Sequence, residues 1–114
     1  MVKYADLTLH QGNDTIFRLE ILDSDKSPKD LTDFSARSSF KRTYKSSDSD
    51  TYSFTCVIPE PYSNGYLDLV VDGTVTDDIR AGRYYYDVFL MNNGTSEKIL
   101  EGLVEIMPSA TSIN

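Results

Sequence analysis

Tryptophan is absent from this 114-residue chain, histidine and cysteine occur once each, and there are only four prolines and six glycines. Each scarcity removes something. A single cysteine, Cys56, rules out an intrachain disulfide and gives no sign of an oxidising compartment, so stability has to come from packing. His10 is the only histidine, and no local motif sets a serine, cysteine or carboxylate beside it, which leaves nucleophilic or acid–base catalysis little to build on. No enzymatic activity is expected. Positive charge is also short: 11 Lys and Arg stand against 18 Asp and Glu, a formal charge of −7 whose field repels phosphate backbones and anionic lipid. Neither nucleic acid nor membrane is expected as a partner. No apolar run approaches the length of a membrane span, and the N-terminal MVKYADLTLHQG lacks the apolar core of a signal peptide, so a chain made in the cytoplasm is expected.

What is present is a hydrophobic fraction of 39% and an aromatic fraction of 11%, enough side chain to build one core. The expectation is a single domain over residues 1–114. Its pattern is alternation, and helical spacing hardly appears. Leu7 and Leu9 alternate with polar residues before the turn Gln11-Gly12-Asn13-Asp14. Phe17, Leu19 and Ile21 mark a second strand, and Phe34, Ala36, Ser38 and Phe40 one face of a third, with Ser35, Arg37, Ser39 and Lys41 on a polar side that reads as solvated. After a polar loop at Lys45–Asp50, a fourth strand has Tyr52, Phe54, Cys56 and Ile58 facing inward until Pro59 and Pro61 stop it. Asn64-Gly65 turns into a fifth, with Leu67, Leu69 and Val71 inward. The segment DGTVTDDIRA then reads as one helical turn capped by Thr74 or Thr76. Two longer strands, Arg83 to Met91 and Glu97 to Met107, complete seven. The fold class expected is all-β: an immunoglobulin-like antiparallel sandwich with one short helical turn between the fifth and sixth strands.

The last two strands raise the functional question. Their better core faces are Tyr84, Tyr86, Val88 and Leu90, and Leu100, Gly102, Val104 and Ile106, since the alternative on the sixth strand would bury Asp87. Both sets are even-numbered, so a regular hairpin needs an odd loop, Asn93-Gly94-Thr95, with Gly94 at positive φ. That register sets Tyr86 opposite Gly102 in the core. It leaves Tyr85 opposite Leu103 and Phe89 opposite Ile99 outside, with Met91 at the rim. An outward apolar cluster of Tyr85, Phe89, Met91, Ile99 and Leu103 marks either a contact surface for another protein or a face covered by a loop or tail of the same chain.

Other candidate chemistry is thin. Cys56 reads as a small core hydrophobe. Asp23, Asp25, Asp30 and Asp33, or Asp72, Asp77 and Asp78, are oxygen-rich runs that match no EF-hand loop and read as solvated turns, so no metal and no cofactor is expected. Asn13-Asp14-Thr15 and Asn93-Gly94-Thr95 fit the glycosylation sequon and read more simply as turns.

The order of motifs resembles small immunoglobulin-like domains of tailed-phage virion proteins, including the N-terminal domain of upper baseplate proteins. The resemblance covers nearly the whole chain. It rests on Gln11-Gly12, Asp30-Leu31-Thr32, Ala81-Gly82 with Tyr84 and Tyr86-Asp87, Glu101-Gly102, and Pro108 with Thr111, none of them a catalytic signature. It implies a structural or accessory role in the virion, in a baseplate, neck, tail or capsid decoration. The partners it implies are other virion proteins or a second copy of the chain. An upper baseplate protein would continue where this sequence stops. The competing expectation is a carbohydrate-binding or host-attachment module using Tyr85, Tyr66 and Tyr62 as aromatic platforms; sugar platforms often use tryptophan, whereas Phe, Ile, Leu and Met suit a protein partner.

Overall fold

The computed structural model describes residues 2–43 and 51–114; the polar loop expected at Lys45–Asp50 lies outside them. Eight strands follow in order: β1 (Lys3–Tyr4), β2 (Leu7–His10), β3 (Thr15–Glu20), β4 (Ser35–Lys41), β5 (Thr51–Val57), β6 (Tyr66–Val71), β7 (Gly82–Asn92) and β8 (Thr95–Met107). A 3₁₀ turn, Tyr62–Asn64, precedes β6, and one helical turn, α1 (Gly73–Thr76), precedes β7. The fold is an all-β sandwich, as the alternation predicts.

One layer holds β8, β7, β4 and the first half of β5, with β1 and β2 along its edge on β8; the other holds β3, β6 and the second half of β5. β5 joins the layers because Thr51–Phe54 pair with β4 while Thr55–Val57 pair with β6, which makes the pairing continuous around one side of the sandwich. The expected first strand is β2, a further two-residue strand, β1, precedes it, and both run parallel to β8. This corrects the wholly antiparallel expectation. Parallel neighbours need a long connection, and here nearly the whole domain lies between β2 and β8.

The inward set forms the core. Phe40, Leu67, Leu69, Tyr84, Tyr86, Val88, Val104 and Ile106 are buried together, and Leu31 and Ile79 plug it from the loops. Its aromatic centre is Phe40, with Phe54 at 4.9 Å and Tyr84 at 5.8 Å between ring centroids. The cap expected on α1 is misplaced: Asp72 is the N-cap residue, and Thr76 is buried inside the turn. Thr76 Oγ1 accepts the Gly12 N–H at 3.1 Å and donates to the Gly73 carbonyl at 3.2 Å. A threonine that looked like a cap is therefore a buried tie between α1 and the turn after β2.

Candidate docking surface

β7 is the middle strand of the broader layer, flanked by β8 and β4, so its outward residues form the centre line of that layer's outer face. With Tyr84, Tyr86, Val88 and Leu90 buried, period-two geometry turns Arg83, Tyr85, Asp87, Phe89 and Met91 outward. Tyr85 stands opposite Leu103 on β8 and Lys41 on β4. Phe89 stands opposite Arg37 on β4. Tyr85 keeps 40% of its surface exposed, while Phe89, Met91 and Leu103 are half-buried.

On β8 the structure departs from the expected register. The β7–β8 loop is the two-residue turn Asn93-Gly94, both at positive φ (51° and 81°), closed by Asn92 opposite Thr95. The parity conflict that disfavours a two-residue loop is absorbed by a bulge: Val88 pairs with Leu100 but Phe89 pairs with Lys98, so Ile99 is the extra residue. Ile99 therefore does not stand opposite Phe89. It packs against the core cluster and lines an open groove of about 380 Å³ with Ile21, Leu22 and Leu90. The expected outward cluster loses Ile99 and keeps Tyr85, Phe89, Met91 and Leu103.

In place of Ile99 the bulge delivers a cation. Lys98 Nζ lies 5.8 Å from the Phe89 ring centroid, 3.8 Å from Asp87 Oδ2 and 3.4 Å from Glu101 Oε1. Arg83 and Glu105 form a looser pair at 3.9 Å. Arg37 and Lys41, on the other side of β7, make no ion pair among the described residues. These cations were not singled out from the sequence, where β4 looked like an ordinary solvated face; strand order places them against the aromatic line.

The covering-tail alternative is answered in part. The C-terminal residues fold onto α1: Ser112 Oγ donates to Asp77 Oδ2 at 2.9 Å, the Asn114 backbone N–H to the same oxygen, and Asn114 Nδ2 to the Thr74 carbonyl and Asp78 Oδ1. Ile113 sits over Gly12. The tail is thus spent at the α1 end of the sandwich and not on the outer face of β7.

The other candidates take ordinary roles. Asp25 Oδ1 accepts from the Ser27 N–H and hydroxyl, and Asp30 Oδ1 from the corresponding groups of Thr32, which holds both carboxyls below their usual range. Among the described residues no group of three or more His, Cys, Asp or Glu is placed to hold a metal ion. Cys56 is half-buried against the core, and burial pushes its thiol pKa up. His10 is exposed at the end of β2. Tyr66 and Tyr85 lie on opposite outer faces: Tyr66 alternates with buried Leu67 on the narrower layer, beneath the Arg18 guanidinium at 4.9 Å. Tyr62 belongs to the 3₁₀ turn. The three tyrosines do not make one platform. No helix among the described residues is long and apolar enough to cross a membrane.

Among solved structures, the first of the following supports the same architecture. The N-terminal domain of phage TP901-1 ORF48 superposes with a TM-score of 0.52 at 13% identity, over 90% of this chain and 85% of that one. The Lin-41 filamin domain gives 0.48 at 16% identity, over 87% and 81% of the two chains. Listeria monocytogenes InlP gives 0.44 at 13% identity, over 92% of this chain and 26% of that one. At such identities the likeness is one of fold. No family model matches the sequence, and none of the curated proteins does.

Proposed function

We propose that the chain is a non-enzymatic structural or accessory protein of a phage virion that docks onto other virion proteins through the outer face of β7. The carrying observation is the line Tyr85, Phe89 and Met91, with Leu103 beside it, at the middle of the broader layer. A solvated sheet face would be polar there. An aromatic centre with a polar rim is the composition that protein interfaces favour. The fold likeness to the phage TP901-1 ORF48 domain supports the virion setting, together with the sequence motifs that resemble virion immunoglobulin-like domains. The carbohydrate-binding reading has weaker support, because Tyr66 and Tyr85 occupy opposite faces. The test is amine cross-linking of purified virions followed by mass spectrometry. Cross-links from Lys41 or Lys98, on either side of β7, to another chain are expected; a chain absent from the virion contradicts the reading.

A further inference from the structure

Resting on the reading of this face as a contact surface, we propose its occupant: a second copy of the same chain, packed face to face across a twofold axis that runs along β7. Charge favours this occupant. The chain as a whole carries −7. On the outer face of the broader layer, β4 presents Arg37 and Lys41 and no carboxylate. The rest of that face presents two cations, Arg83 and Lys98, against four carboxylates, Asp6, Asp87, Glu101 and Glu105. Among the described residues the two halves are +2 and −2, so this face sums to zero on an acidic molecule. Two copies that repel in most orientations meet here without that penalty, and the unequal halves favour one orientation.

A twofold axis lying along β7, in the plane between the copies, sets β7 over β7 and β4 of each copy over β8 of the other, so the positive half of each copy covers the negative half of its mate. Spacing agrees. Arg37 and Lys41 are four residues apart on β4, and Glu101 and Glu105 four apart on β8, about 13 Å in each case. Arg37 is level with Phe89 and Lys41 with Tyr85, while Glu101 and Glu105 are level with Asp87 and Arg83. Each cation is thus displaced from its carboxylate by two residues, about 7 Å along the strand, and in the same sense. Long side chains span that offset. Sheets pack about 10 Å apart, which leaves the axis to the Tyr85 and Phe89 rings of both copies. Asp87 and Arg83 also fall near the axis, where Lys98 lies 3.8 Å from Asp87 and Glu105 3.9 Å from Arg83. Lys98, level with Phe89, meets Arg37 of the other copy, so each such pair of cations is offset by the Asp87 and Glu101 carboxylates that hold Lys98. From Arg83 to Met91 the strand runs about 27 Å, and five strands span about 20 Å. The flat footprint, about 500 Å² against about 800 Å² of accessible surface per partner in a standard interface, suits a reversible dimer.

The experiment is sedimentation of three proteins over a wide concentration range: the native chain, Arg37→Glu with Lys41→Glu, and Glu101→Lys with Glu105→Lys. The native chain is expected to dimerise. Each doubly substituted chain opposes like charges in both halves of the interface and is expected to lose at least about tenfold in affinity. Mixed in equal amounts, the two variants restore opposite charges in both halves, and the mixture is expected to dimerise as the native chain does. Thermal melts of each variant check that the fold survives. A native chain that stays monomeric, variants that dimerise as well as the native chain, or a mixture that stays monomeric would each overturn the proposal. If the native chain is monomeric while virion cross-links still run from Lys41 or Lys98 to a different protein, the self-association falls and the docking function stands. If it dimerises but is absent from virions, the reverse holds.

Discussion

Tyr86 lies directly across the β7–β8 hairpin from Gly102, and its hydroxyl donates to the Ala5 carbonyl at 2.6 Å. That carbonyl belongs to the break between β1 and β2, which passes over the bare backbone of Gly102. A Cβ at position 102 would collide with the Ala5 oxygen and sit 3.2 Å from Tyr86 Cε1. The absence of one side chain thus lets the Ala5 carbonyl turn in against β8 where β1 gives way to β2, and the tyrosine ring fills the space beside it.

Gly102→Ala should therefore destabilise the domain by about 1–3 kcal/mol through overpacking against backbone, lowering the melting temperature by roughly 10 °C. The damage should localise to the N-terminal strand: hydrogen exchange at the Ala5 amide, bonded to the Glu101 carbonyl at 3.0 Å, should accelerate more than exchange in β6. An unchanged melt would mean that the Ala5 carbonyl does not press on Gly102.

Tyr86 also links stability to pH. Burial, with smaller contributions from Asp6 and Tyr4, pushes its pKa up from 10.0 to about 12. Ionisation is easier in the unfolded chain, so the stability tied to the neutral phenol is complete below pH 10 and is lost as pH rises through about 12. Two units correspond to about 2–3 kcal/mol. Tyr86→Phe should be the less stable protein at neutral pH, because the Ala5 carbonyl loses its donor. It should also show a shallower fall in stability between pH 10 and 12. Parallel slopes for the two proteins in urea titrations at these pH values would refute the assignment.

The strands, their inward faces and the Tyr86–Gly102 and Tyr85–Leu103 pairs were legible because alternation fixes which residues face the core, and matching core faces fix the register near the middle of a hairpin. The hairpin end was not. Two even-numbered core faces forbid a two-residue loop in a regular ladder, yet Asn93-Gly94 is the strongest two-residue turn signal. The chain keeps the turn and restores parity at Ile99, and a bulge leaves no mark in hydrophobic alternation. Parallel pairing of β1 and β2 with β8 is likewise silent, since Leu7 and Leu9 alternate the same way in either direction. Of the surface, the β7 residues could be read from parity alone. Arg37 and Lys41 could not, because only the strand order shows that β4 flanks β7.

Cys56 gives a test of the β5 register. Half-buried at the handover between layers, with Sγ 4.0 Å from the Phe54 carbonyl and a raised pKa, its thiol should react slowly with a disulfide reagent in the native protein and quickly in denaturant. Native labelling at the free-thiol rate would show that Cys56 faces solvent and that β5 is shifted by one residue.

As proposed, the outer face of β7 is a surface for contact and not part of the core. Phe89→Ser with Leu103→Ser removes two half-buried side chains from that face, whereas Tyr86→Ala truncates a ring that is 1% exposed. Core aromatic truncations cost about 3–5 kcal/mol, and apolar groups outside the core cost far less. The decisive measurement is the melting temperature of dilute, monomeric protein for both variants, with sedimentation at high concentration alongside. Phe89→Ser with Leu103→Ser is expected to melt close to the native chain and to have lost association, while Tyr86→Ala melts far lower. A Phe89/Leu103 variant destabilised as much as Tyr86→Ala would contradict it.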